Sequence, residues 1–237
     1  MTSPDKPVRR RRARDETVAE ILCSARAQLD HTPPAALSFR AIARELGLVS
    51  SAVYRYFPSR DALLTALLVS VYDELGAHVE AADAAITDRT RTAARLAACT
   101  HAVRGWAFAH PNDYALLYGS PVHGYAAPQD TIDPASRITS AFLRIVTDEH
   151  GTETGKPGAE SGTASDLRAA LEPVDIFVEQ TTGTRLPDEL MLRTLMAWTT
   201  VFGTVSFELW GHLQNGPVTP GYVDAVVDRL AEDLRLS

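Results

Sequence analysis

The chain predicts an all-α protein, with an N-terminal three-helix domain followed by a larger C-terminal helical domain. Apolar residues recur at helical spacing along most of its length, and from Arg89 to Ser237 no stretch alternates as a half-buried strand would. The periodic stretches end at helix stops, among them Gly47, Pro58, Pro111 and Gly183. With 237 residues, 45% of them hydrophobic and 22% charged, there is ample material for a core.

Residues 1 to 14 hold Pro4, Pro7 and the run Arg9, Arg10, Arg11, Arg12, and are too charged to bury a core, so a disordered basic arm is expected. A first helix is expected over about Asp15 to Asp30, with Val18, Ile21, Leu22, Ala25 and Leu29 on one side and Asp15 and Glu16 at its positive end. Pro33 and Pro34 break it.

The stretch from Ser38 to Phe57 is the organising element of the N-terminal domain. Phe39, Ile42, Ala43 and Leu46 fall at i, i+3, i+4 and i+7 behind Ser38, an N-cap residue. Gly47 supplies the left-handed exit, and a second short helix runs from about Ser50 to Phe57 before Pro58. Two short helices about a glycine turn make a helix-turn-helix, whose second helix enters the major groove. Its expected outward side chains are Ser50, Ser51, Tyr54, Arg55 and Tyr56; Ser38 and Arg40, Arg60 and the arginines of the arm complete the expected DNA contacts.

Charge is distributed to match. The chain carries a net −7, yet residues 1 to 60 hold eleven Arg and Lys against six Asp and Glu, leaving twelve against twenty-four for the rest. A basic head on an acidic body presents one face to phosphates.

Residues 15 to 75 as a whole resemble the DNA-binding domain of TetR-family transcriptional repressors. The resemblance is carried by Leu37, Ser38, Ile42, Ala43, Gly47, Ala52, Tyr54, Phe57, Pro58, Ser59, Arg60, Asp61, Leu63 and Leu64. Arg60 stands where that family more often has a phosphate-contacting lysine, and Ser50-Ser51 replaces a frequent Pro-Gly or Pro-Ala. The resemblance implies a ligand-responsive repressor in the bacterial cytoplasm, at the nucleoid. Its partners would be a double-stranded, pseudo-palindromic operator and a small, largely apolar effector.

A connecting helix is expected over residues 59 to 84, apolar on so wide an arc (Leu63, Leu64, Leu67, Leu68, Val71, Tyr72, Leu75) that it must touch two partners. Residues 85 to 237 are expected to form the effector-binding and dimerisation domain. Within it lie a helix over 91 to 109, a short one through Tyr118 capped by Asn112 or Asp113, an irregular loop to Tyr125, and a helix opened by Asp133-Pro134 and reaching His150. The segment HPNDYALLYGSPVHGY resembles a C-terminal domain type from one branch of TetR-like regulators. Residues 151 to 165, rich in Gly, Ser, Thr and Glu, read as a mobile surface loop.

A further helix is expected over Leu167 to Gln180. Met191, Leu195, Trp198, Phe202, Val205 and Leu209 then repeat at heptad-like spacing, as do Val223, Val227, Leu230 and Leu234. They predict an antiparallel hairpin joined by a turn at Asn215 to Pro220. The family resemblance implies that this hairpin, residues 187 to 235, pairs with its twofold mate as a homodimer, with Gly203 and Ser206 allowing close approach. Trp106, His110, Tyr114, Tyr118, His123, Phe142, Phe177 and Trp198 are the expected effector contacts, with His101 as a further polar candidate.

Other classes are disfavoured. The sequence holds no nucleophile elbow, H-E-x-x-H motif or phosphate-cradling glycine loop, so no enzyme, metal or cofactor is expected. Cys23 and Cys99 lack ligand spacing and read as buried, reduced thiols. No apolar run reaches the roughly 20 residues of a membrane span, so no membrane partner is expected. The alternative is a helical protein-interaction module that uses the basic arm for acidic partners.

Overall fold

The computed structural model describes residues 5–151, 162–213 and 221–237. Among them the fold is all-α, without a strand. The helices are α1 (Asp5–Leu29), α2 (Phe39–Glu45), α3 (Ser50–Tyr56), α4 (Arg60–Ala85), α5 (Thr92–Ala109), α6 (Pro111–Tyr118), α7 (Ile132–His150), α8 (Gly162–Thr182), α9 (Asp188–Leu209) and α10 (Tyr222–Asp233). They form two compact units. One comprises the residues up to Tyr72 together with His110–Ile132, and the other comprises Asp73–Ala109 and Asp133–Ser237. The division differs from the expected boundaries, because α6 and the loop after it belong with the head and α4 is shared between the units at Tyr72–Asp73.

The core of the first unit is built from the predicted stripes. Ile21, Ala25 and Leu29 of α1 meet Phe39, Ile42 and Ala43 of α2, Val53 of α3, Phe57, and Leu63 and Leu67 of α4. Polar contacts fix the helix ends on this core. The Ser24 hydroxyl donates to Glu45 at 2.6 Å, and the Gln28 amide oxygen accepts from the Ser38 backbone N–H at 3.0 Å. Leu116 of α6 packs on the same core. On α6, buried Asp113 accepts from Arg26 Nε at 2.8 Å, Asn112 donates to Asp30 at 2.9 Å, and Tyr125 shares a 2.9 Å hydrogen bond with Thr65. Asp113 is therefore a partner of α1 rather than a helix cap. His110 holds the N-cap position, without a side-chain cap bond, and Pro111 supplies the first turn, where its missing N–H costs nothing.

The first helix is longer than expected. It begins at Asp5, so the arm from Asp5 to Arg14 continues α1, and Asp15 and Glu16 lie in mid-helix; residues 1–4 lie outside the described residues. Arginine is a good helix former, and Pro7 falls in the first turn, where proline is tolerated.

In the second unit the guanidinium of Arg95, wholly buried, binds Asp83 of α4 and Asp148 of α7 at 2.7 Å each. This pairing offsets the cost of burying the charge. Arg137 of α7 spans Asp73 and Glu80 of α4 at 2.8 and 2.6 Å and holds the Glu80 carboxyl below its usual range. The inner faces of α9 and α10 pack inward through Met191, Phe202 and Val205, and through Val223, Val227 and Leu234. The heptad-like stripes of the sequence are thus the inner faces of these helices, with Leu195, Trp198, Leu209 and Leu230 half-buried beside them.

Three expectations are modified. Helix α8 begins at Gly162, so the end of the predicted 151–165 loop is helical, while 152–161 and the turn at 215–220 lie outside the described residues. Cys99 is buried, with its thiol pushed up to about 12 by desolvation, but Cys23 is exposed on α1. By length and composition α4 and α9 are apolar enough to cross a membrane, with mean hydropathy 1.3 and 1.2. Core helices share that composition, and Leu63, Leu64, Leu67 and Leu75 of α4 are buried in protein.

Candidate nucleic-acid interface

The glycine turn is formed as the sequence requires. Ser38 Oγ accepts from the Ala41 N–H at 3.3 Å at the start of α2, and Gly47 adopts φ +66°, which an L side chain resists. The chain reverses and sets α3 across α2. Val53 and Phe57 anchor α3 from beneath, leaving the opposite side of this two-turn helix to solvent.

On that side Ser51, Tyr54 and Arg55 are exposed and Ser50 is half-buried. Tyr54 is 53% exposed although its ring lies 4.7 Å from that of Phe39, so the contact positions the phenol without covering it. Tyr56 departs from expectation: it is half-buried and packs against the hydrophobic core of this unit. Beside α3 is an open groove of about 420 Å³ lined by Ser38, Phe39, Arg40, Tyr54 and Arg60, among others. Arg40 and Arg60 are exposed, one on α2 and one opening α4, where Ser59 Oγ caps the helix by accepting from the Ala62 N–H at 3.0 Å. Two guanidiniums, a hydroxyl and a phenol line one groove, with Ser51 and Arg55 at the adjoining helix face, and these are groups of the kind that bind phosphate oxygens. Arg11 and Arg12 are exposed on α1.

The residues expected to hold an effector divide between the units. In the first, the buried ring of Tyr114 lies 5.0 Å from that of Tyr118, which meets Tyr72 edge-on at 6.4 Å; burial raises the Tyr118 hydroxyl pKa far above normal. His110 stands 3.8 Å from Asp113, and His123 is exposed in the loop. In the second, Trp106 donates to Glu74 at 3.1 Å, Phe177 is half-buried on α8, and Phe142, Phe202 and Trp198 stack with centroids 6.4 and 4.7 Å apart. His101 is exposed and pairs with Asp224 at 2.9 Å.

Two features have no clear signal in the sequence. The Arg26–Asp113 pair joins residues 87 apart and has no local signature. The outer face of α9 carries exposed Met196, Thr199, Phe207 and Trp210 around Gly203, a stripe opposite the stronger inner one. Its spacing is visible in the chain, but the richer inner stripe dominates the pattern.

Comparison with known proteins identifies two matched segments, which do not follow the division into units, since the second of them includes His110–Ile132. Residues 21–67 match the tetR family of bacterial regulatory proteins, and residues 96–234 match the tetracyclin repressor-like C-terminal domain. Over 232 residues the chain is 39% identical to the HTH-type transcriptional regulators Mb1846 of Mycobacterium bovis and Rv1816 of Mycobacterium tuberculosis, covering 94% of this chain and 93% of each relative. Among solved structures, the protein SCO4313 superposes with a TM-score of 0.71 at 28% identity, covering 94% of this chain and 97% of that one. A protein of unknown function from Rhodococcus sp. RHA1 gives 0.62 at 26% identity, covering 92% and 93%. Two parts of one regulator family match residues 21–67 and 96–234, relatives from that family align over 94% of the chain, and the protein belongs to the TetR family of DNA-binding transcriptional regulators.

Proposed function

We propose that the protein is a homodimeric repressor that occupies a pseudo-palindromic operator and leaves it when a small effector binds. The observation that carries this reading is the exposed face of α3, Ser51, Tyr54 and Arg55, set beside the groove of Ser38, Arg40 and Arg60. One such head touches too few bases for tight specific binding, so two are used, about 34 to 36 Å apart or a multiple of it. The outer stripe of α9 supports the pairing: Met196, Phe207 and Trp210 are large, apolar and exposed, and a Cβ on Gly203 would meet nothing within 4 Å.

An effector site in the second unit is supported by two buried polar atoms with no hydrogen-bond partner, Thr100 Oγ1 and Trp198 Nε1. Each costs about 1 to 3 kcal/mol if left unsatisfied, and a bound molecule with matching groups recovers it. Effector and DNA then oppose each other by linkage, each weakening the other by the same factor, about 5 to 150-fold for a coupling of roughly 1 to 3 kcal/mol. The protein acts as a regulator in the cytoplasm and carries out no catalysis.

The test is selection of binding sites from a random duplex library by the full-length protein, followed by anisotropy titration. Enrichment of paired, inverted half-sites is expected. Equal affinity for every sequence would overturn the reading, and binding as a single head to an unpaired site would overturn the dimer.

A further inference from the structure

The helices on either side of α3 are capped by serine. Ser38 Oγ accepts from the Ala41 N–H at 3.3 Å ahead of α2, and Ser59 Oγ accepts from the Ala62 N–H at 3.0 Å ahead of α4. Between them α3 is headed by Val49, extended at φ −80° and ψ 144°, and no side chain caps it. Ser, Thr, Asp and Asn are the residues preferred at such a position, and valine is among the poorest. Nor does Val49 serve the core. Its neighbour Leu48 packs there, whereas Val49 is 70% exposed, the highest value for a large apolar side chain among the described residues. Single exposed apolar residues are ordinary on a protein surface. This one combines a forgone cap with exposure directly ahead of Ser50 and Ser51, the leading residues of the helix assigned above to the operator.

A recognition helix meets base edges with its leading residues. In the major groove, base pairs offer hydrogen-bond donors, acceptors and one apolar group, the C5-methyl of thymine. A valine side chain has no polar atom with which to bind a donor, an acceptor or a phosphate. We propose that Val49 is a specificity-determining residue that reads one thymine in each half-site by contact with its C5-methyl group. The inference rests on the reading of the first unit as an operator-binding head, and it adds to that head a residue outside the polar set of α3 and its groove. Branching at Cβ restricts the side chain at χ1, so little freedom is lost when the contact forms. In a twofold dimer the two thymines occupy equivalent positions of inverted half-sites.

The test uses the full chain and the operator it selects from a random duplex library. Each thymine of one half-site, on either strand, is replaced in turn by deoxyuridine, which lacks only the methyl group. For the parent, one replacement should lower affinity about fourfold, the transfer value of one buried methyl-sized group. Replacement in both half-sites should lower it about fifteenfold, because effects at separate sites add in free energy. The same scan is run on Val49→Ser. Serine restores a capping hydroxyl, so this variant should melt at or above the Tm of the parent, and its thymine–uracil difference should vanish at that position alone. A parent indifferent to every uracil, or a difference that survives in Val49→Ser, refutes the inference. A Tm below that of the parent refutes it as well, since Val49 would then be structural. If the parent selects no sequence at all, the reading of the head falls and takes this inference with it.

Discussion

Replacing Arg26 by alanine tests whether α6 is part of the reading head. Asp113 is 6% exposed and receives both Nε and Nη2 of Arg26 on one carboxylate oxygen, at 2.8 and 2.6 Å. Removing one partner of a fully buried pair costs about 3 to 5 kcal/mol. The Arg26 side chain is 29% exposed, so water reaches part of the contact, and about 2 kcal/mol is the expected loss. In a chain of this length each kcal/mol moves Tm by about 2 to 4 °C, which gives a drop of about 4 to 8 °C for the first unit. Two probes separate the units, because Trp106, Trp198 and Trp210 all lie in the second. The helical circular dichroism signal should begin to fall before tryptophan fluorescence changes. The cycle Arg26→Ala, Asp113→Ala and the double variant should show a coupling above about 1 kcal/mol. A single variant melting at the temperature of the parent would refute the argument.

Tyr54→Ala and Arg60→Ala should each weaken operator binding several-fold without moving Tm; loss of the thermal transition with normal binding by the folded fraction would make either residue structural. Gly47→Ala should cost about 1 to 2 kcal/mol through backbone strain alone, since a Cβ there meets no atom within 4 Å, and chemical denaturation measures it. Phe207→Asp should give a folded monomer by native mass spectrometry, whereas Phe202→Asp, in the stack with Phe142 and Trp198, should unfold the second unit; a dimeric Phe207 variant would remove the α9 stripe from the interface. Asp175 is buried on α8, and desolvation, with help from Asp188 and Glu179, raises its pKa against the pull of Arg185 and Arg168. A raised folded-state pKa means stability that is present in acid and lost as pH rises through that pKa. Asp175→Asn should therefore raise Tm at neutral pH, with the gain shrinking as pH falls through the carboxylate range, and a gain that grew in acid would contradict it.

The helix-turn-helix was legible because its constraints are local: Ser38 caps and Gly47 alone fits its turn. The extent of α1 was not. Composition marks a charged run with two prolines as disordered, but arginine propensity and the harmless place of Pro7 favour continuation of the helix. Asp113 illustrates the limit of local reading. At the start of a helix an acid looks like a cap, and only the fold brings Arg26 to it. On α9 the strongest periodicity marked the face that fills the unit's own core, so a charge at Phe202 would probe folding, whereas Phe207 probes pairing.

The split composition of the first unit bears on how such regulators can be recombined. Its chain is drawn from two separate stretches, one ending at Tyr72 and one running from His110 to Ile132. A hybrid made by grafting only the leading stretch onto another regulator's body would arrive without Leu116 over the core, Asp113 for Arg26 and Tyr125 for Thr65. On the proposed reading of α3 as the element that reads the operator, exchange of specificity between relatives requires a two-segment transplant, or the far smaller exchange of the few exposed side chains on α3.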